Sequence, residues 1–360
     1  MDTNTRVLTP SQVTRALEHA LRKQRPVFMS GPPGVGKSDI VHQIGGRMNA
    51  HVIDIRLSLW DPTDIKGIPY FDPTQNKMVW GAPAELPDQA MSEKYEAIIL
   101  FLDEMNSAPP AVQAAAYQLI LNRRVGTYVL PDNVYIVAAG NRDSDKGLTY
   151  RMPSPLANRF VHLEMKADFN DWFQWAVDNK VHKDVVGYLS FAKSELYDFD
   201  PKTSSRSFAT PRSWSFVSEL LDDRLDEDTE TDLISGTIGE GLAIKFLAHR
   251  KIASGMPSPS DILAGRVKDM KSKETSAMYA LTVAMCYELK DAHEKEDEDF
   301  NMKVHHFLEF SMNNFDKEMT VMGVKVALSQ YGLPIDPSET PCFERFHKEY
   351  GKYIKAAAGM

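Results

Sequence analysis

The octapeptide Gly31-Pro32-Pro33-Gly34-Val35-Gly36-Lys37-Ser38 fits the pattern G-x-x-x-x-G-K-[ST] at every fixed position. It lies between a short apolar run, Pro26 to Met29, and a helical stretch that begins near Ser38. That context matters as much as the pattern. Glycines let backbone N–H groups curl around a phosphate with no side chain in the way. The helix that follows adds partial positive charge at its N-terminus. In such a loop Lys37 reaches the β- and γ-phosphates and the Ser38 hydroxyl ligates Mg²⁺. The expected nucleotide contacts are therefore Gly31, Pro32, Pro33, Gly34, Val35, Gly36, Lys37, Ser38 and the adjoining Asp39, with ATP and Mg²⁺ as cofactors.

Working outward, Val52 to Ile55, Ala97 to Leu102 and Val134 to Ala139 read as further strands. The last two are continuous apolar runs, as strands covered on both faces require. Val161-His162-Leu163 reads as a shorter strand at an edge. Helical spacing precedes the loop, from Thr9-Pro10-Ser11 through Leu21, and recurs from Ala111 to Leu121. Strands alternating with helices predict a parallel α/β sheet. After about residue 166 only helical patterns remain: Asp168 to Asp178, Lys183 to Leu196, Pro211 to Leu221 and Thr231 to Arg250, with a break at Pro257-Ser258-Pro259-Ser260. The acidic runs Asp222 to Asp232 and Asp291 to Asp299 read as solvated loops or helix faces. The expected organisation is an α/β core at 1–165, a helical lid at 166–252 and a helical C-terminal region at 253–360.

Two strand tips bear on the loop. The run from Ala97 ends in Asp103-Glu104, where one carboxylate can hold the Mg²⁺ shell and the next can polarise water. A strand ending in Asp-Glu is by itself often structural; the phosphate loop gives it meaning, with Asp103 assigned to the metal and Glu104 to the water. The run from Val134 ends in Gly140-Asn141, whose amide can hold that water against the γ-phosphate.

The chain has 360 residues, enough for two to three domains, with 41 basic against 50 acidic side chains and a net charge of −9. That balance opposes broad attraction to phosphate backbones or anionic membranes. Two cysteines, Cys286 and Cys342, cannot make a disulfide scaffold and suit a reducing compartment. The first residues lack the apolar core of a signal peptide. The most apolar stretch, Ala97 to Leu102, is far short of the roughly 20 residues a membrane span needs. The expectation is a soluble, cytoplasmic protein with no membrane partner.

Together these motifs resemble the AAA+ ATPases, and within them the MoxR-type branch, over roughly residues 9–250. The branch-specific part is Gly147-Leu148-Thr149-Tyr150-Arg151-Met152-Pro153-Ser154-Pro155-Leu156-Ala157-Asn158-Arg159-Phe160, similar to the family segment after the sensor asparagine, with Asn158 where the family has aspartate. The resemblance implies that Arg159 is an arginine finger offered to a neighbouring subunit's nucleotide. Thr210-Pro211-Arg212 resembles the second sensor motif, which implies that Arg212 reaches the γ-phosphate from the lid. Leu59 to Tyr70 resembles an inserted loop, and Asn122 to Tyr128 the turn of a hairpin before the sensor strand. In relatives such loops face a central pore. Trp60, Lys66 and Tyr70 are then client contacts or packed side chains; Arg123 and Arg124 meet a neighbour's phosphate, a pore client or a carboxylate.

The resemblance implies a hexameric ring that hydrolyses ATP to remodel or activate a protein partner, including partners with a von Willebrand factor A domain. A nucleic-acid motor or loader of the same clade is the alternative. Net acidity and the lack of a recognisable helix-turn-helix or zinc finger weigh against it. A slowly hydrolysing, nucleotide-locked scaffold is a third reading, which the intact Glu104 opposes.

Overall fold

The computed structural model describes residues 6–81, 83–145, 149–150, 152–203, 205–221, 225–271 and 274–357. Gly147, Leu148 and Arg151 of the branch-specific segment, and Asp222 and Asp223 of the first acidic run, lie outside them. Two compact units emerge, one of residues 1–168 with 200–204, the other of 169–199 with 205–360.

The first unit is built on six strands: β1 (Val7–Leu8), β2 (Val27–Ser30), β3 (Ala50–Arg56), β4 (Ala97–Asp103), β5 (Val134–Gly140) and β6 (Val161–Met165). They pair in the order β1-β6-β2-β5-β4-β3, every neighbour parallel. Three helices matter for the site: α1 (Pro10–Arg22), α2 (Lys37–Arg47) and α3 (Pro110–Asn122). In β4 the alternate residues Ile98, Leu100 and Leu102 pack in one cluster with Val112, Ala115, Ala116 and Leu119 of α3. Ile99 and Phe101, on the other face, are also fully buried. Both faces are covered, which is why the run shows no polar alternation.

One expectation is corrected. Val161-His162-Leu163 belongs to β6, which lies between β1 and β2 rather than at an edge. The true edge strand is two residues long, too short to display any period, so the sequence hid it. Sequence order reverses around β2: the chain leaves it for the far edge at β3 and returns through β4 and β5. Ligands in open parallel sheets bind at such a switch point, beyond the carboxyl ends of the strands.

Two antiparallel hairpins project from this unit. Ile68–Asp72 pairs with Lys77–Gly81, and Arg124–Val125 with Tyr128–Val129. Thr127 Oγ1 donates to the Trp80 carbonyl at 3.2 Å, joining one hairpin to the other.

The second unit is helical: α4 (Phe169–Asp178), α5 (Lys183–Phe191), α6 (Pro211–Leu221), α7 (Glu227–Ile238), α8 (Glu240–Ser254), α9 (Thr275–Glu294), α10 (Phe300–Asn314), α11 (Lys317–Lys325) and α12 (Phe343–Ala357), with shorter turns between. One apolar cluster runs through it from Trp172 to Tyr350. The expected boundary between residues 252 and 253 falls inside that cluster. Two helix expectations are corrected. The stretch from Thr231 to Arg250 is broken at Gly239, whose φ of 91° is a conformation helices cannot carry. The stretch from Lys183 ends as α-helix at Phe191 and finishes as a 3₁₀ turn over Lys193–Leu196. The acidic residues Glu227, Asp228 and Glu230 occupy the first turn of α7, where their charge is favourable at the positive end of the helix dipole.

Candidate nucleotide site

β2 runs straight into the glycine-rich loop, and Lys37 is the first residue of α2. Gly34 and Gly36 have φ of 72° and 90°, which L side chains rarely tolerate. Gly31 is required for another reason: a Cβ there would lie 2.8 Å from the Met165 carbonyl oxygen of β6. The loop is thus pressed against the sheet, and the first-turn N–H groups of α2 have no partner within the helix.

Residues beyond the ends of β2, β4 and β5 meet there. Lys37 Nζ donates to the Gly31 and Pro32 carbonyls at 2.8 and 3.0 Å, and to Asn141 Oδ1 at 3.3 Å. Ser38 Oγ donates to Asp103 Oδ2 at 3.2 Å. The other Asp103 oxygen accepts from the Glu104 backbone N–H at 2.8 Å. Glu104 itself takes φ 53° and ψ 31°, the left-handed region uncommon for a residue with a side chain.

The residues present fit a nucleotide with a hard divalent cation. Ser38 and Asp103 offer adjacent oxygen donors, and among the described residues no group of three or more His, Cys, Asp or Glu could hold a metal ion. Mg²⁺ is bound in that way, through one or two protein oxygens with phosphate and water oxygens completing the shell. Asp54, one strand away, has its carboxyl pKa raised, first by burial and then by the Asp103 charge, with His42 opposing at 3.6 Å.

Three neighbours were not foreseen. Ser58 donates a short hydrogen bond to Glu104 Oε2, and Arg56 Nε lies 3.6 Å from Glu104 Oε1. Both follow from the β3–β4 register, which sets Arg56 beside Asp103. Asn106, buried, donates from Nδ2 to the Asn141 carbonyl at 2.7 Å and accepts the Tyr150 N–H on its own carbonyl at 2.6 Å. Its Oδ1 is buried without a hydrogen-bond partner among the described residues. A polar residue two positions after Glu104 is the only trace of this in the sequence.

The remaining expected residues lie elsewhere. Arg159 is exposed just before β6, and Asp39 is exposed in the first turn of α2. Arg212 is the second residue of α6 in the helical unit. That helix start is locked by a reciprocal pair: Thr210 N–H to Ser213 Oγ at 2.7 Å and Ser213 N–H to Thr210 Oγ1 at 3.1 Å. Within the chain, Arg123 Nη2 donates to the Pro131 and Val134 carbonyls at 2.6 and 3.0 Å. Trp60 packs, half-buried, on the core, whereas Tyr70 is exposed.

Residues 26–160 match the family described as AAA domain (dynein-related subfamily). With the all-parallel sheet and the loop at its switch point, that match identifies the fold. This is a P-loop AAA+ fold. Midasin of Giardia intestinalis is 27% identical over 197 residues, 52% of this chain and 4% of Midasin, so the chain corresponds to a small fraction of that relative's length. Among solved structures, a RuvB variant of Thermotoga maritima is 19% identical over 68% of this chain and 74% of its own, with a TM-score of 0.37. NtrX of Brucella abortus in complex with ATP is 15% identical over 96% and 69%, with a TM-score of 0.38. No helix among the described residues is long and apolar enough to cross a membrane.

Proposed function

We propose that this chain is a Mg²⁺-dependent ATPase of the MoxR type that assembles head-to-tail into a ring and remodels or activates a protein partner. The convergence of Lys37, Ser38, Asp103, Glu104 and Asn141 beyond the carboxyl ends of β2, β4 and β5 carries the reading. When bound, Mg²⁺ neutralises charge on the phosphates. Lys37 binds the phosphates, with Gly31 to Ser38 and Asp39 around them. Ser38 and Asp103 hold the cation, Glu104 accepts a proton from the attacking water, and Asn141 orients that water. Arg159 serves the neighbouring subunit's nucleotide, and Arg212 couples the helical region to nucleotide state.

The client reading rests on the exposed apolar side chains of the longer hairpin: Ile68 at 69%, Phe71 at 55% and Met78 at 58% exposure. Such residues suit a protein chain better than a phosphate backbone, and the net charge of −9 points the same way. A von Willebrand factor A domain protein is one such partner. Two buried, unpaired cysteines are compatible with the cytoplasm.

A mixing experiment tests the whole reading. Glu104→Gln and Arg159→Ala should each be inactive alone and recover turnover together, because some interfaces of a mixed ring pair an intact Glu104 with an intact Arg159. Absence of ATP turnover in the unmodified protein would refute the ATPase; full turnover of a monomer at high dilution would refute the ring.

A further inference from the structure

A cavity of the α/β unit, about 180 Å³, lies at the opposite end of the sheet from the nucleotide loop. Its wall includes Pro26, which precedes β2, Tyr135 and Ile136 at the start of β5, and Arg159, which precedes β6. Three arginines line it, Arg25, Arg123 and Arg159, and no acidic residue does. Gathering three cations in one small space is unfavourable without an anion, more so in a chain with nine excess negative charges available for pairing. Among the described residues, Arg25 and Arg159 form no ion pair and their side chains make no hydrogen bond. Asp132 acts on Arg123 through space but does not line the cavity.

The backbone holds these residues in place. The Val161 N–H donates to the Pro26 carbonyl at 2.9 Å, which fixes the segment carrying Arg159 beside the one carrying Arg25. Arg25 N–H donates to the Ala20 carbonyl at 3.0 Å, and Gln24 Nε2 to the Asp132 carbonyl at 2.7 Å. The same Pro131–Val134 turn anchors Arg123. One terminal nitrogen of Arg123 is spent on those carbonyls, leaving its charge to the cavity.

The anion cannot be this chain's own nucleotide. At about 3.3 Å per residue, β2 alone separates the two ends of the sheet by about 13 Å. An anion seated here comes from another molecule. We infer that Arg25 and Arg123 complete, with Arg159, a three-guanidinium pocket that receives the terminal phosphates of a nucleoside triphosphate held in the Gly31–Ser38 loop of a second copy of this chain. The inference rests on the arginine-finger reading of Arg159 and adds two groups to it. A planar fork suits the task because it meets phosphate oxygens in pairs, and three of them can follow charge as it spreads in the transition state.

The test uses the full chain and reads assembly as well as turnover. In a Glu104→Gln background, which traps ATP, adding Arg25→Ala should leave the Kd for ATP of the dilute, unassembled chain unchanged while cutting ATP-dependent self-association in sedimentation at least five-fold. Unchanged self-association overturns the pocket. Arg25→Gln, which keeps the aliphatic stem, should show the same loss, so that a packing defect is not mistaken for lost charge. Mixing then fixes the side of the interface. Arg25→Ala with Glu104→Gln should recover turnover, whereas Arg25→Ala with Arg159→Ala should not, since both lesions sit on one face. Recovery in the second mixture would mean that Arg25 serves its own subunit's nucleotide, and overturns the inference. Loss of turnover in Arg159→Ala but not in Arg25→Ala overturns the pocket and leaves the finger reading standing; full turnover in Arg159→Ala overturns both.

Discussion

The Ser58 hydroxyl donates to Glu104 Oε2 while Arg56 sits against Oε1, so both oxygens of this carboxylate are engaged by groups at the end of the neighbouring strand. An oxygen already accepting from Ser58 must give up that hydrogen bond before it can accept from an attacking water. Removing the hydroxyl frees that oxygen and should therefore increase basal ATP turnover by roughly two- to five-fold, the worth of one hydrogen bond of about 0.5–1 kcal/mol. Steady-state turnover of Ser58→Ala, with ATP affinity measured alongside, checks this. A fall in turnover at unchanged affinity would show instead that Ser58 positions Glu104 for catalysis.

Lys37 and Glu104 should separate binding from chemistry. Lys37→Ala removes the cation that faces the ground-state phosphates and is expected to abolish ATP binding. Glu104→Gln keeps the shape and is expected to bind ATP but hydrolyse it at least 100-fold more slowly, in the range typical for loss of a general base (about 10²–10⁴-fold). Equilibrium binding and single-turnover measurements on both variants distinguish the roles; equal loss of binding would remove Glu104 from the chemistry.

Arg250 ties three helices of the helical unit together. Its Nε meets Asp184 Oδ2 at 2.8 Å and its Nη1 meets Glu230 Oε1 at 2.5 Å, linking α8 to α5 and α7. Arg250→Ala strands two partly buried carboxylates and should cost about 3–5 kcal/mol. Urea unfolding followed by tryptophan fluorescence reads this through Trp172 and Trp214, both buried in the same cluster. A loss below about 1 kcal/mol would mean that water replaces the guanidinium without penalty.

His249 gives the helical unit a pH dependence of definite sign. It is 5% exposed, and burial lowers its pKa below the ordinary 6.5, outweighing the opposing Ser276 carbonyl and Asp184 charge. The unfolded chain therefore binds the proton more readily than the folded one. Stability is full above pH 6.5 and falls as pH drops through the folded-state pKa. The slope of unfolding free energy between pH 6.5 and 5 should flatten in His249→Phe. An unchanged slope would assign the effect to other groups, His305 first, whose pKa burial also lowers.

Legibility in the sequence followed the range of the interactions involved. The loop, the strands ending at Asp103 and Asn141, and the helix beginning at Lys37 each depend on residues close together in the chain, and all could be read. What escaped depends on pairing across the chain. Ser58 and Arg56 reach Glu104 only because β3 and β4 align Arg56 with Asp103, a register that no local pattern encodes. The interior place of β6 depends on the two-residue strand Val7–Leu8 outside it. Gly239 could have been read as a break, but apolar residues on both sides keep helical spacing across it. Arg25 carries no motif; only the fold brings it beside Arg159.

The orphaned side of Asn106 has a consequence for how this sequence can change. A methyl group on Gly140 would sit 2.0 Å from Asn106 Oδ1, inside any tolerable contact, although Gly140 has an ordinary strand backbone. Neither residue is therefore free to drift by itself. Substituting Gly140 first meets a steric barrier. Shortening Asn106 first releases the Asn141 carbonyl and loosens the strand tip that faces Lys37. The two positions form an epistatic pair: relatives that carry a larger residue at the strand end should carry a smaller or differently bonded one in place of the amide, and intermediates with only one change should be scarce among them.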